Sequence, residues 1–294
     1  MKKSIIAAFM AGVLCLSLFT GCAQNGSESQ SEKNTKPTIT IGYVTWAEGI
    51  AMTNLAQAIL EDKMGYEVKQ VQADVAPLFT SLSNGSTDLF LDCWLPVTLK
   101  DIWSKYSSEV TDYGVDFENA KIGLVVPSYV DIDSIEQLNS VKDQFDGNIV
   151  GIDSGAGIMQ TTGNALSEYG LDYKLMPGSG PTMTAALKKA ISQKKPIIVT
   201  GWQPHWMFAK WDLKFLDDPK GVYGEAEAIH KIARKGFDKD TPEAAEFIKN
   251  FKMSTEQLGD LMGAIEDSSD PLKAARTWMN DNEDVVKTWL PANS

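Results

Sequence analysis

From residue 38 onward the chain alternates short, β-branched apolar runs with stretches whose apolar residues recur at helical spacing. Residues 38–44 read as a buried strand. Residues 49–63, with apolar positions at 51, 55, 58 and 59, read as a helix that stops near Gly65. Residues 66–72 form a second strand, 77–83 a short helix and 87–92 a third strand. The pattern restarts with a strand at 149–153, helices over 157–169 and 181–192, and a strand over 196–200. Residues 227–235 read as one more strand. The tail is helical: Thr241-Pro242 and Asp270-Pro271 each set a cap before a first-turn proline, and Ser254 with Gln257 makes a capping box. Such alternation predicts an α/β fold with largely parallel sheets.

The two stretches share a spacing. Ile41-Gly42 followed by Glu48-Gly49-Ile50 corresponds to Val150-Gly151 followed by Ala156-Gly157-Ile158. Ile50 precedes Trp94 by 44 residues, and Ile158 precedes Trp202 by the same 44. Each tryptophan follows a strand and opens a Trp-x-Pro, Trp94-Leu95-Pro96 and Trp202-Gln203-Pro204. Ligands of open α/β sheets sit beyond the carboxyl ends of the strands. Two lobes built this way and facing each other would bring four strand ends to one cleft.

The start of the chain departs from this pattern. Lys2 and Lys3 precede about 15 largely apolar residues and then Thr20-Gly21-Cys22, the layout of a secretory signal. The run is shorter than the ~20 residues a spanning helix needs. Leu18-Phe19-Thr20-Gly21-Cys22 resembles a bacterial lipobox with Phe19 in place of the usual leucine, which makes Cys22 the expected lipidated N-terminus. The polar stretch up to Lys36 suits a flexible tether. Cys15 would leave with the signal and Cys22 would carry lipid, so Cys93 has no disulfide partner. The expected product is a folded body held extracytoplasmically at the membrane by its lipid.

Composition narrows the chemistry. The 294 residues are 43% apolar and 22% charged, enough for two packed lobes. The net charge is −12, and only Arg234 and Arg276 among the basic residues are arginines, which excludes the basic stripe a nucleic-acid binder needs. Loss of residues 1–21 would remove two lysines and bring the charge to −14. Two histidines, His205 and His230, give no His-rich metal site, and no metal or cofactor is expected.

The shared spacing nominates Trp46, Trp94 and Trp202 together with the two helix starts, with Glu48 and Asp153 nearby. Indole is the best cation–π face, and several rings around one point hold a cation that cannot donate hydrogen bonds. Each ring contributes about 0.5–2 kcal/mol, against the about 8 kcal/mol of micromolar binding. The helix start after Ser154-Gly155-Ala156 offers unpaired amides at Gly157 and Ile158, a seat for a carboxylate. Together these suggest a zwitterion with a methylated ammonium at one end. Trp103, Trp211, Trp278 and Trp289 read as packing residues, and Glu48 and Asp92 as loop caps rather than partners of the cation.

Gly-Ile-Asp-Ser-Gly-Ala-Gly-Ile-Met at 151–159, Thr-Gly-Trp-Gln-Pro-His-Trp-Met-Phe at 200–208, Ala-Lys-Ile-Gly-Leu-Val-Val-Pro at 120–127 and Arg-Lys-Gly-Phe at 234–237 closely resemble the glycine betaine-binding proteins of osmoprotectant ABC importers. The resemblance runs over residues 38–252. It implies a two-lobed periplasmic-binding-protein fold of type II that closes on its ligand about a hinge. It also implies a tryptophan prism of Trp46, Trp94 and Trp202 around the trimethylammonium, and carboxylate donors at the Gly157 and Ile158 amides. Several relatives carry a carboxylate-contacting histidine where this chain has Leu99, so Thr98 or water would have to compensate. His205 is an accessory candidate, with an orienting role favoured.

The expected organisation is a signal at 1–21, a tether at 22–36, lobe 1 at 37–126, lobe 2 at 127–213 and a return to lobe 1 at 214–294. The expected function is a monomeric receptor that binds glycine betaine and hands it to an ABC permease, without catalysis. Carnitine, proline betaine and choline are the alternatives within the class, choline being disfavoured because it lacks a carboxylate. From other classes come a secreted hydrolase using Cys93 and His205, and a sensory module that reports occupancy to a partner.

Overall fold

The computed structural model describes residues 36–292. Cys22, the expected signal and all but the last residue of the expected tether lie outside the described residues. The elements in order are β1 (Ile39–Tyr43), α1 (Ala47–Asp62), β2 (Val68–Gln72), α2 (Val75–Ser83), β3 (Leu89–Leu95), α3 (Lys100–Tyr106) and β4 (Val110–Pro127). A 3₁₀ segment (Ile135–Phe145) leads to β5 (Asn148–Val150), α4 (Gly157–Glu168), β6 (Lys174–Met176), α5 (Gly180–Ser192), β7 (Val199–Gln203), α6 (Met207–Lys210) and β8 (Leu213–Phe215). The chain ends through β9 (Glu227–Arg234), α7 (Phe237–Asp240), α8 (Pro242–Asn250), α9 (Thr255–Glu266), α10 (Pro271–Asp281) and α11 (Glu283–Trp289).

The strands run in the order β2-β1-β3-β9-β4-β7-β5-β6, with β8 on β4. Pairing is parallel where the alternating pattern foresees it, between β1 and β2, β1 and β3, β5 and β6, and β5 and β7. It is antiparallel wherever the long strands β4 and β9 take part, so the sheet as a whole is mixed. A strand that leaves one half and enters the other has to run back past its neighbours, and neither a short apolar run nor its periodicity signals that direction. β4 pairs with β9 as far as Ala120 and with β7 from Lys121. Asn119, at φ 61°, stands just before this change of partner, and asparagine tolerates that left-handed geometry better than most residues.

The core follows from the same pattern. Ile39, Ile41, Leu89, Phe90, Ile229 and Ile232 are fully buried in the central strands. In α1, Met52, Leu55 and Ile59 are also fully buried, because α9 and α10 cover the side turned from the sheet. A helix apolar nearly all round belongs in such an interior. Two of the three expected tail caps hold: Asp270 accepts from the Lys273 amide, and Ser254 with Gln257 closes a capping box. Thr241 does not cap, because its hydroxyl donates back to the Phe237 carbonyl at 2.8 Å. Trp278 and Trp289 are buried in the core, and Trp103 and Trp211 pack against it. No helix among the described residues is long and apolar enough to cross a membrane.

Candidate ligand-binding site

Trp46 is the residue before α1, Trp94 is the penultimate residue of β3 and Trp202 the penultimate residue of β7. All three line one cavity, together with Glu48, Thr98, Ile122, Ile152, Ala156, Gly157 and Ile158. The rings are only 4%, 2% and 3% exposed respectively, so the cavity is shielded from bulk water. The structure therefore brings together the three tryptophans, Thr98 and the α4 start that the sequence nominates. The starts of both α1 and α4 reach the cavity. From α1 it is Glu48 that lines the wall, while Gly49 turns toward Asp92, where a Cβ would stand 2.3 Å from Oδ2.

Each indole N–H in this cavity is donated to a carboxylate. Trp94 Nε1 donates to Asp92 Oδ1 at 2.8 Å, Trp202 Nε1 to Glu48 Oε2 at 2.7 Å, and Trp46 Nε1 to Asp153 Oδ1 at 3.1 Å. Donation to a buried carboxyl oxygen holds each ring in a fixed plane. The expectation that Glu48 and Asp92 cap loops is thus corrected: α1 has no side-chain cap, and both acids are buried behind the tryptophans. In β3, Asp92 and Trp94 stand two residues apart, so they share a face of the strand.

Burial and the neighbouring Asp92 charge push the Glu48 carboxyl well above its usual range, with the Trp202 bond opposing them. Burial raises Asp92 to about 7, opposed by the Trp94 bond. Burial also raises Asp153, against its bond from Trp46. One oxygen of each acid, Glu48 Oε1, Asp92 Oδ2 and Asp153 Oδ2, has no hydrogen-bond partner. A cation placed within the rings would favour the ionised form of these acids, which burial opposes.

The α4 start also lines the cavity. Gly157 and Ile158 open α4, their amides belong to the set a helix start leaves unpaired, and Ala156 offers no side-chain cap. Gly157 admits close backbone approach, since a Cβ there would lie 2.0 Å from the Thr98 carbonyl oxygen. The Thr98 hydroxyl, expected as a substitute donor, is held by Glu227, whose carboxylate also accepts from the Val97 and Thr98 amides at 3.0 Å. Glu227, at the start of β9, thereby ties down the loop after Trp94, a role that no local sequence pattern announces. Leu99 is buried and lies outside the cavity lining, on a separate surface pocket that Val75, Asp101 and Gly155 also line.

His205 stands behind Trp202 rather than in the cavity. Its ring meets the Trp202 indole edge-on with centroids 4.7 Å apart, and Nδ1 accepts from the Met207 amide at 3.0 Å. Burial lowers its pKa to about 3, which keeps it neutral. His230 pairs with Asp112 at 2.9 Å on β9. Cys93 is fully buried and its thiol is pushed up by burial and nearby acids, so it supplies no thiolate for the hydrolase alternative. Arg234 anchors the end of β9 through Asp88 at 2.6 Å and Asp240 at 2.7 Å. Among the described residues no cluster of three or more acidic, His or Cys side chains is placed to hold a metal.

The family model for the substrate-binding domain of ABC-type glycine betaine transport systems matches residues 37–281. The chain belongs to that family. The lactococcal OpuAC, solved closed with glycine betaine, superposes with a TM-score of 0.82 at 38% identity, over 87% of this chain and 100% of that one. The glycine betaine/L-proline-binding protein ProX of Borrelia burgdorferi gives 0.83 at 34% identity, over 87% and 97%. A glycine betaine/carnitine transport binding protein of Listeria monocytogenes serotype 1/2a (strain 10403S) is 49% identical over 150 residues, 50% of each chain. That match spans about half the length of the curated relative. The two-lobed substrate-binding fold expected from the sequence is the fold of these structures.

Proposed function

We propose that this family member binds glycine betaine, with the trimethylammonium inside Trp46, Trp94 and Trp202 and the carboxylate on the Gly157 and Ile158 amides. The observation that carries this reading is the cavity itself, lined by three indoles whose N–H groups are held by carboxyl oxygens and by an uncapped helix start. A quaternary ammonium donates no hydrogen bonds, so faces and diffuse charge are the complementary surroundings. Glu48 lines the wall with Oε1 unpaired, and a cation among the rings would favour its ionised form, which burial alone opposes. An amide pair on a helix start favours a ligand with a carboxylate over choline.

The same proposal includes an extracytoplasmic receptor anchored through Cys22, lobes comprising 37–126 with 214–294 and 127–213, and delivery of the ligand to an ABC permease. Carnitine and proline betaine share the two charged ends and remain the competing ligands. Isothermal titration with glycine betaine, proline betaine, carnitine and choline tests the assignment directly. Glycine betaine is expected to bind most tightly and choline at least tenfold more weakly. Equal binding of choline would remove the carboxylate role of the α4 start, and no heat with any of the four would overturn the reading.

A further inference from the structure

Two of the three indole bonds cross the cleft, and they do so in opposite senses. Trp46, ahead of α1, donates to Asp153 across 107 residues of chain. Trp202, in β7, donates back to Glu48 of α1 across 154. The same seam holds two glycines pressed onto backbone from the other side. A Cβ on Gly157 would stand 2.0 Å from the Thr98 carbonyl oxygen, and one on Gly180 2.7 Å from that of Thr45. At the rim, Gln160 of α4 donates to Asp101 of α3 at 2.9 Å. The β1 and β3 side of the molecule and the β5 and β7 side thus touch at several points around the cavity.

We propose that Glu48 and Asp153 are positioning residues that latch the cleft shut, each accepting an indole N–H from the opposite side only when the two sides meet. The inference rests on the ligand reading above and adds a role for residues behind the rings. With the cleft open, both indoles would donate to water. With it closed, each N–H meets an acceptor in surroundings where hydrogen bonds are electrostatically stronger. The latch has a cost, because Glu48 Oε1 and Asp153 Oδ2 are left buried without partners. A cation between the rings offsets that cost, so the latch holds when the ligand is present and yields when it is absent. A ligand shifts closure only through such a difference between the two states. Two orienting bonds also explain how rings from both sides reach their final planes in the same step as closure.

The test is the dissociation rate of glycine betaine, followed by stopped-flow tryptophan fluorescence on the full chain. Asp153→Ala is the cleaner variant, since Asp153 is only partly buried and does not line the cavity. It is expected to speed dissociation about tenfold, with the association rate changed less than twofold. Asp153→Asn and Glu48→Gln, which keep an acceptor oxygen, should fall between wild type and the alanine variants. Trp46→Phe combined with Asp153→Ala should be no faster than the faster single variant, because both remove the same bond. Wild-type dissociation in Asp153→Ala and Glu48→Gln, or multiplied effects in the double variant, would overturn the latch. Trp94→Ala separates the two readings. If it binds glycine betaine normally, the cage and with it the latch fail. If it loses binding while Asp153→Ala dissociates at the wild-type rate, the cage stands and only the latch falls.

Discussion

Trp94 and Trp202 stand at the ends of β3 and β7, and each is followed by one residue and a proline in a cis peptide bond. Both rings face the same cavity. Their hydrogen-bond partners come from different places. Trp94 is held by Asp92, two residues earlier on its own strand, so its orientation is set before any domain movement. Trp202 is held by Glu48, 154 residues away on α1, so its orientation depends on the two halves being together. One tryptophan is preorganised and its counterpart is assembled. Equal spacing along the chain therefore does not mean equal roles at the site.

Removing the rings should have the largest effect. Trp94→Ala and Trp202→Ala are each expected to weaken glycine betaine binding by about 30-fold or more, about 2 kcal/mol, by calorimetry. Both variants should still unfold cooperatively, and Trp94→Ala should lose more thermal stability because its ring belongs to a preformed wall. Blocking the assembled side should come next. Gly157→Ala places a methyl against the Thr98 carbonyl, and overpacking of this kind costs about 1–3 kcal/mol. Binding should weaken about tenfold while the melting temperature without ligand stays near wild type, since the clash arises only on closure. An equal loss of ligand-free stability would show that the contact does not open.

The preformed acid predicts a pH effect of moderate size. Asp92 rises from 3.8 to about 7 on burial, so the folded chain holds a proton that the unfolded chain releases. Its stabilising contribution is full below about pH 4 and is lost as pH rises through about 7. The ligand-free melting temperature should decline from this source between pH 5 and 8, and Asp92→Asn should flatten the decline. A slope unchanged by that substitution would contradict the assignment. The smallest effect on binding belongs to Leu99→Ala. Its side chain lies outside the cavity lining, so affinity should change less than threefold, although chemical denaturation should show a loss of about 2–4 kcal/mol.

Much of the fold and site is legible in residue pattern because local physics governs it. Strand and helix positions follow from hydrophobic period, and the three tryptophans and the α4 start stand out by spacing. The Asp92–Trp94 pair was also readable, because residues two apart on a strand share a face. A cap at Asp92 is not what this spacing favours. The antiparallel course of β4 and β9, the tie from Glu227 to the Trp94 loop, and the pairs Glu48–Trp202 and Trp46–Asp153 had no such signal. They join residues that nothing nearby in the chain brings together.

The sequence by itself singled out the three tryptophans and the α4 start that line the cavity. Those choices depend on residue type and on periodicity, both of which are local. Tertiary structure alone decided which acid meets which indole. A carboxyl group becomes a strong and costly partner only after folding removes it from water, and that burial depends on the whole chain.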